Sequence, residues 1–206
     1  MKKFLFASLF IFSLGIAQGQ KTNSIVLNIY GTYIFQDEIE LDQFSAIAEK
    51  GLQYGGGLEF FMDGSRSFEL KYLRQDFAIP LYAPSGTQLN EGTDEGSINY
   101  ILLSGTNYFG GISNSSARPF FGFGIGVAVL DSKEGGNTTK TAFDLKLGIQ
   151  IPTGGRVSFK IHSSLQTVFA AVGTDYFVGG GGAIAVPDYA TLLQFGFGAG
   201  LSFSLK

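Results

Sequence analysis

The sequence predicts an all-β fold: an eight-stranded, antiparallel, up-and-down transmembrane β-barrel with short periplasmic turns and long extracellular loops. Three observations support this prediction. Apolar residues alternate with small or polar residues in eight segments, and this period of two is that of a β-strand. The connections between these segments are alternately short and long. The face opposite the aromatic residues carries both acids and bases, which suits a hydrated lumen better than a dry core.

The alternating segments can be followed along the whole chain. They cover residues 24–35, 52–62, 67–75, 97–109, 121–129, 143–151, 157–166 and 194–205. The last is the clearest, because Phe195, Phe197 and Leu201 share one parity while Gly196 and Gly198 share the other. An aromatic face opposite a face of small residues indicates lipid outside and a crowded, hydrated interior.

Most of the other segments also have two unlike faces. Neighbouring residues of opposite character are Leu27 and Asn28, Leu58 and Glu59, Leu70 and Lys71, Phe123 and Gly124, Leu145 and Asp144, and Phe159 and Lys160, in the first, second, third, fifth, sixth and seventh segments. Pro119 precedes the fifth segment, which suits a strand start because proline cannot donate to the ladder.

The fourth segment is apolar on both parities, so its faces are harder to assign. We expect Ile98, Tyr100, Leu102 and Tyr108 on the lipid face, with Ile101 and Leu103 interrupting the polar face formed by Asn99, Gly105 and Asn107. Aromatic residues near strand ends are predicted to form interfacial girdles: Tyr33, Phe35, Tyr54, Tyr72, Tyr100, Tyr108 and Phe109.

The connections predict which end of the barrel faces outward. Tight turns are expected at 63–66 and 152–156, and a longer one at 110–118. The loops after the first, third and seventh segments run to roughly fifteen to twenty residues, as extracellular loops do. The first two of these loops are acidic. Loop 169–189 is glycine-rich and apolar, and three forms stay open for it: a plug in the barrel mouth, a partner surface, or an extension of its flanking strands.

The N-terminus reads as a cleaved secretory signal peptide over residues 1–19. Lys2 and Lys3 precede an apolar run that ends at Ile16, and Ala17 and Gly19 are the small residues of a cleavage site. The apolar run is too short to cross about 30 Å of hydrocarbon. The sequence thus predicts export through the periplasm and a barrel domain over residues 20–206.

Composition excludes several classes of site. The chain has no cysteine and one histidine, so neither a disulfide framework nor a multi-histidine metal site is expected. The net charge is −3 and no basic patch follows Lys2 and Lys3, which speaks against nucleic-acid binding. We expect no catalytic residues, no cofactor and no metal.

Three stretches resemble the small eight-stranded outer-membrane barrel family of the OmpA and OmpX type. They are the proline-aromatic-glycine strand Arg118–Gly126, the strand Phe143–Ile151 that follows it, and the closing stretch Gly200–Leu205. The resemblance implies localisation in the outer membrane of a Gram-negative bacterium. It also implies that Gly200, Phe203 and Leu205 form the signal read by the barrel assembly machinery. Gln18 and Gly19 before Gln20 are similar to signal peptides of Bacteroidetes secreted proteins.

Seven inward-facing residues form the main candidate site. They are Glu59, Glu69, Lys71, Asp144, Lys146, Lys160 and His162. We interpret them as a structural charge network that fills the lumen, since eight strands enclose only enough room for their own side chains. The alternative is an ion path. A His-x-Ser pair similar to His162 and Ser164 occurs in an outer-membrane lipid A deacylase family, but only Asp175 is available here as the acid.

The predicted function is therefore a non-enzymatic, monomeric outer-membrane barrel that acts structurally or through its loops. Its expected partners are outer-membrane lipid, lipopolysaccharide, the barrel assembly machinery and a surface ligand or protein. The alternatives are a narrow porin-like channel or small-molecule-binding barrel and, third, a lipid A-modifying hydrolase.

Overall fold

The computed structural model describes residues 24–41, 44–48, 50–78, 81–82, 95–110, 117–132, 136–169, 175–179, 182–186 and 191–205. The predicted signal peptide, residues 1–19, lies outside these ranges. Within them, no helix has the length and apolar character needed to cross a membrane.

Thirteen strands occupy the described residues. They are β1 (Ile25–Ile34), β2 (Asp37–Leu41), β3 (Phe44–Ala48), β4 (Gly51–Phe61), β5 (Arg66–Ala78), β6 (Leu81–Tyr82), β7 (Glu95–Tyr108), β8 (Arg118–Ser132), β9 (Gly136–Pro152), β10 (Val157–Phe169), β11 (Asp175–Gly179), β12 (Gly182–Val186) and β13 (Thr191–Ser204). Eight of them close a barrel in the order β1-β4-β5-β7-β8-β9-β10-β13. The predicted fold class is confirmed.

The barrel is closed by its first and last strands. β1 pairs antiparallel with β13 from Val26 opposite Ser204 to Ile34 opposite Gly196, and with β4 on its other side. Every other barrel strand pairs in the same antiparallel sense with its neighbours. Closure gives each strand two hydrogen-bonded neighbours, so no barrel strand is left as an open edge facing lipid.

The outer surface of the barrel is apolar. Large hydrophobic side chains such as Leu70 (55% exposed), Phe197 (55%) and Ile161 (58%) point outward on separate strands. A contiguous belt of this kind marks a surface that meets lipid. β1 has 10 residues and β4 has 11, which is the length of a tilted membrane-crossing strand.

The predicted faces of β7 are wrong. Ile98, Tyr100, Leu102 and Tyr108 are buried inside the barrel, while Ile101 and Leu103 face outward. The alternation pattern does not show which face of β7 is inside, because both faces are apolar. The strand pairing does show it, because Leu102 lies opposite Lys71 on β5 and Gly126 on β8, and both of these residues face the interior. Tyr100 and Tyr108 are therefore not girdle residues. The other five predicted girdle residues are exposed: Tyr33, Phe35, Tyr54, Tyr72 and Phe109.

Two kinds of connection distinguish the ends of the barrel. We call the end with the short connections, at 62–65 and 153–156, the turn end, and the opposite end the loop end. In the first turn, Asp63 Oδ1 accepts the backbone N–H groups of Ser65 and Arg66, each at 2.8 Å. In the second, Gly154 has a φ of 81°, a left-handed conformation that favours glycine.

The loop end carries additional strands. β2, β3 and β6 form a three-stranded sheet, which joins the connection after β1 to the connection after β5. β11 and β12 pair with each other, from Asp175 opposite Val186 to Gly179 opposite Gly182, in a sheet separate from the barrel. The described part of loop 169–189 is therefore a hairpin of its own.

Candidate functional site

The ladders of the barrel bring the seven predicted interior residues together. Glu59 is on β4, Glu69 and Lys71 on β5, Asp144 and Lys146 on β9, and Lys160 and His162 on β10. All seven are buried, with exposed fractions between 1% and 6%. Carboxylates and lysines are equal in number among these seven residues, and they share the interior with a buried apolar cluster that includes Leu73, Ile98 and Leu102.

Glu59 is the most heavily hydrogen-bonded of these groups. Its carboxylate accepts from Lys160 Nζ at 2.7 Å and from Asn28 Nδ2 at 2.9 Å. It also accepts from Ser67 Oγ at 2.5 Å and Tyr108 OH at 2.6 Å. Four donors, one of them a cation, replace the water that an ionised carboxylate loses on burial.

Glu69 lies directly opposite Glu59 in the β4–β5 ladder, so two carboxylates are neighbours. Asn28 connects them, because its Nδ2 donates to Glu69 Oε1 at 2.7 Å as well as to Glu59. Ser202 Oγ donates to Asn28 Oδ1 at 2.6 Å, which orients the amide with its NH₂ group toward the acids. Tyr30 OH completes the arrangement, since it donates to Glu69 Oε1 at 2.8 Å.

A second ion pair crosses the lumen. Lys71 Nζ donates to Asp144 Oδ2, and both side chains are almost fully buried. Lys146 is held differently: its Nζ lies 4.0 Å from the centroid of the Tyr30 ring, a cation–π geometry. Tyr30 therefore contacts a carboxylate and a lysine at once: its hydroxyl bonds to Glu69 and its ring contacts Lys146.

Amide and tyrosine side chains close the interior nearer the loop end. Gln53 and Gln166 exchange two hydrogen bonds, at 2.8 and 3.1 Å. Tyr100 OH donates to Gln194 Oε1 at 2.8 Å. β7 and β13 stand on opposite sides of the barrel order, so this last bond spans the lumen. The interior is therefore bridged at several heights by contacts between strands that are not neighbours.

Solved structures share this architecture. Neisserial surface protein A matches with a TM-score of 0.59 and 11% identity, over 88% of this chain and 97% of that one. The outer membrane protein OprG from Pseudomonas aeruginosa matches at 0.57 and 14%, over 90% and 98%. The outer membrane protein AlkL, solved in DMPC bilayers, matches at 0.50 and 13%, over 91% and 92%.

The chain has the fold of the small eight-stranded outer-membrane barrels, the OmpA and OmpX type. No protein-family model matches it, and no curated protein does.

In this barrel, His162 and Ser164 do not form a nucleophile–base pair. His162 Nε2 lies 3.0 Å from Thr32 Oγ1, while His162 Nδ1 and Ser164 Oγ are buried without hydrogen-bond partners in the described structure. Hydrolysis needs the nucleophile within hydrogen-bonding reach of its base. Both side chains also face the interior rather than the lipid surface. This geometry gives no support to the lipid A hydrolase alternative.

Sequence reasoning missed several members of the network. The alternation of the first strand sets Asn28 and Tyr30 opposite Leu27 and Ile29, but it predicts no role for either residue. The sequence pattern predicts the wrong face for Tyr108, so it does not predict the hydrogen bond from Tyr108 to Glu59. The available signal was the polar pair Asn28 and Tyr30 at consecutive inward positions, which a search restricted to charged residues overlooks.

The predicted assembly signal lies on the last strand. Gly200 faces inward, where an added Cβ would lie 2.9 Å from Tyr30 Cδ1, so this glycine leaves room for the Tyr30 ring. Phe203 is partly buried opposite Leu27 and Val157. Leu205 is exposed, and its N–H donates to the Ile25 carbonyl at 2.8 Å.

Proposed function

We propose that this chain is a non-enzymatic outer-membrane β-barrel protein of a Gram-negative bacterium, with a structural or surface-interaction role exercised through its extracellular loops. The apolar outer surface and the fold shared with outer-membrane proteins support this location. In the proposed orientation the turn end faces the periplasm and the loop end faces outward.

The observation that carries the proposal is the bridged interior. Three side-chain contacts join strands on different sides of the barrel: Glu59 with Lys160, Lys71 with Asp144, and Gln53 with Gln166. A lumen filled by its own side chains has no open path for solutes. Function then falls to the loops, where binding residues concentrate in proteins with rigid scaffolds.

The proposed partners follow from the two surfaces. The apolar belt contacts outer-membrane lipid, and the barrel assembly machinery reads Gly200, Phe203 and Leu205 during insertion. The first loop carries Asp37, Glu38 and Glu40, and such carboxylates can share divalent cations with lipopolysaccharide or contact a surface ligand. We propose that the barrel is a monomer, and that export includes cleavage after Gly19.

Single-channel conductance tests the proposal. Protein refolded to a heat-modifiable band is inserted into planar bilayers at both signs of voltage. We expect folded protein without openings, because the charge network packs the lumen. Steady openings in wild-type protein, sensitive to Glu59→Gln or Lys146→Gln, would overturn this function in favour of a pore.

A narrow channel remains the second candidate, for one specific reason. Seven buried side-chain N and O atoms lack hydrogen-bond partners in the described structure, and four of them lie on the same side of the barrel: Ser104 Oγ, Asp144 Oδ1, His162 Nδ1 and Ser164 Oγ. These four atoms belong to β7, β9 and β10, and β8, with its inward glycines, lies between β7 and β9 in the barrel. Buried water satisfies such groups when it finds two to four polar partners. A continuous water file there would support slow ion or proton passage, which the same recordings measure.

A further inference from the structure

The turn end of the barrel contains a cavity that the charge network does not use. Its volume is about 230 Å³. Arg118 and Arg156 contribute to its lining, together with the hydroxyl-bearing Ser24 and Ser158 and the side chain of Gln150. Since a water molecule occupies about 30 Å³ of liquid, this space accommodates a small polar group with several waters.

Arg118 lines this cavity and is buried, not extended into solvent. Its side chain is 9% exposed, and its guanidinium carbon lies 4.9 Å from the centroid of the Tyr108 ring. Its Nη2 donates to the carbonyl of Gly64. Its Nε is buried and makes no hydrogen bond in the described structure. Stacking and the Gly64 bond hold the guanidinium plane in place while one donor stays unpaired.

The charge of Arg118 has no anionic partner among the described residues. The nearby Glu59 carboxylate is already surrounded by four donors, including Lys160. Asp63, which also lines the cavity, is paired with Arg66 at 2.6 Å. Buried charges are normally compensated, since the loss of hydration is otherwise costly. The cavity therefore holds an excess of positive charge.

We propose that this cavity is a binding site for an oxyanion, a phosphate or a carboxylate, with Arg118 as its principal binding group. A planar guanidinium presents N–H donors in a fixed geometry that matches the oxygens of such anions. Arg156 adds a second positive charge at the rim of the cavity, where its side chain is exposed. In the proposed orientation the site opens toward the periplasm, so the anion comes either from solution or from a lipid headgroup of the inner leaflet.

The test follows the Nε–Hε signals of arginine by NMR in protein refolded in dodecyl maltoside, a detergent without phosphate. Inorganic phosphate is titrated against wild-type protein, Arg118→Gln and Arg74→Gln. The control residue Arg74 lies on β5 and is paired with Asp76 at 2.7 Å, outside the cavity. We expect saturable movement of the Arg118 signal. The Arg156 signal is present in all three proteins and gives the affinity of each. That affinity should fall about tenfold or more in Arg118→Gln, the loss of one charge-assisted contact, and stay unchanged in Arg74→Gln.

Addition of phosphatidylglycerol to the micelles distinguishes the two sources. Movement of the Arg118 signal with lipid and without phosphate identifies a headgroup, and movement with phosphate alone identifies a soluble anion. Non-saturable shifts of the Arg156 signal, equal in size in all three proteins, mean an adventitious ion only and overturn the proposal. If Arg118→Gln does not refold, Arg156→Gln replaces it, and a wild-type Arg118 signal that neither ligand moves overturns the proposal without any variant.

Discussion

At the scale of single residues, the interior is organised around carboxylates that accept from several strands at once. Glu59 on β4 receives donors from β1, β5, β7 and β10. A buried carboxylate stabilises the fold only when all of its donors are present, because an uncompensated charge in the interior raises the free energy of the folded state. The consequence can be measured by removing the two members of one ion pair separately and together.

We predict that Lys160→Met destabilises the folded barrel by about 3–5 kcal/mol, because it leaves the Glu59 charge without its cation. The double variant Lys160→Met with Glu59→Gln should recover part of that loss, since no uncompensated charge remains. Urea unfolding in lipid vesicles, followed by tyrosine fluorescence and gel mobility, measures the stability of Lys160→Met, Glu59→Gln and the double variant. Strictly additive losses in the double variant would show that the two side chains are not coupled.

A matched pair of tyrosines separates buried from exposed hydroxyl bonds. Tyr30→Phe should cost about 1.5–3 kcal/mol, the value of a hydrogen bond to a charged group, because Glu69 loses a donor. Tyr72→Phe removes an exposed bond to Asn99 of 2.7 Å and should cost less than about 1 kcal/mol. The same unfolding measurement compares them. Equal losses would mean that Tyr30 is not part of the network that holds Glu69.

At the scale of strands and turns, some glycines are needed because a side chain at their position would overlap the backbone of the neighbouring strand. An added Cβ at Gly126 on β8 would overlap the carbonyl oxygen of Ile101 and lie 2.9 Å from Leu102 Cα. Gly105 on the adjacent β7 has no heavy atom within 4 Å of the same position. The two glycines face opposite sides of one strand pair, so they form an internal control.

We predict that Gly126→Ala destabilises the barrel by about 1–3 kcal/mol or more, through overpacking against the β7 backbone. Gly105→Ala should be neutral or stabilising by up to about 1 kcal/mol, because alanine loses less conformational entropy in a strand. Unfolding midpoints of the two variants, refolded side by side, provide the comparison. A Gly105→Ala variant that is the less stable of the two would contradict the close approach at Gly126.

The turn at Asp63 contributes a pH dependence. Hydrogen bonds from the Ser65 backbone N–H and from Arg66 hold the pKa of Asp63 below its usual range. A lowered pKa in the folded state means that the contribution is present above the unfolded pKa of about 4 and is lost as pH falls through the folded value. We expect Asp63→Asn to lower stability at pH 7 and to match the wild type more closely near pH 3. A difference that stays constant over this range would exclude ionisation as its source.

At the scale of the whole molecule, the barrel and its loop-end sheets are separate hydrogen-bonded units. The ladder between β10 and β13 ends at Phe169 opposite Thr191, and the β11–β12 hairpin lies beyond it in its own sheet. The barrel ladders therefore do not depend on the hairpin. This separation supports the proposed role of the barrel as a scaffold for its loops.

We predict that replacement of residues 171–189 by a short glycine-containing turn leaves the barrel folded, because every β10–β13 pair is retained. Heat-modifiable gel migration and unfolding midpoints within about 1 kcal/mol of the wild type would be the expected result. Surface binding by cells that carry the shortened chain should fall if this loop serves the proposed interaction. Loss of heat-modifiable migration would instead mean that the loop is needed for barrel formation.

The sequence by itself determined the fold class and the orientation of most barrel strands. Period-two alternation is a local property. The inward face of a strand with one polar and one apolar face, such as the strand of Asp144 and Lys146, can therefore be predicted from its own sequence. The resulting inventory of interior charges could be written down from the sequence, because parity alone assigns each residue to a face.

Only the tertiary structure decided which of these residues meet and how the ambiguous strand is placed. The face of β7 depends on its register with β5 and β8, and Tyr108 reaches Glu59 only because of that register. Asn28 connects two acids that are 10 residues apart on neighbouring strands, and Arg118 faces a cavity formed by connections distant in sequence. These contacts join strands brought together by closure of the barrel, and closure is a property of the whole chain that no local pattern encodes.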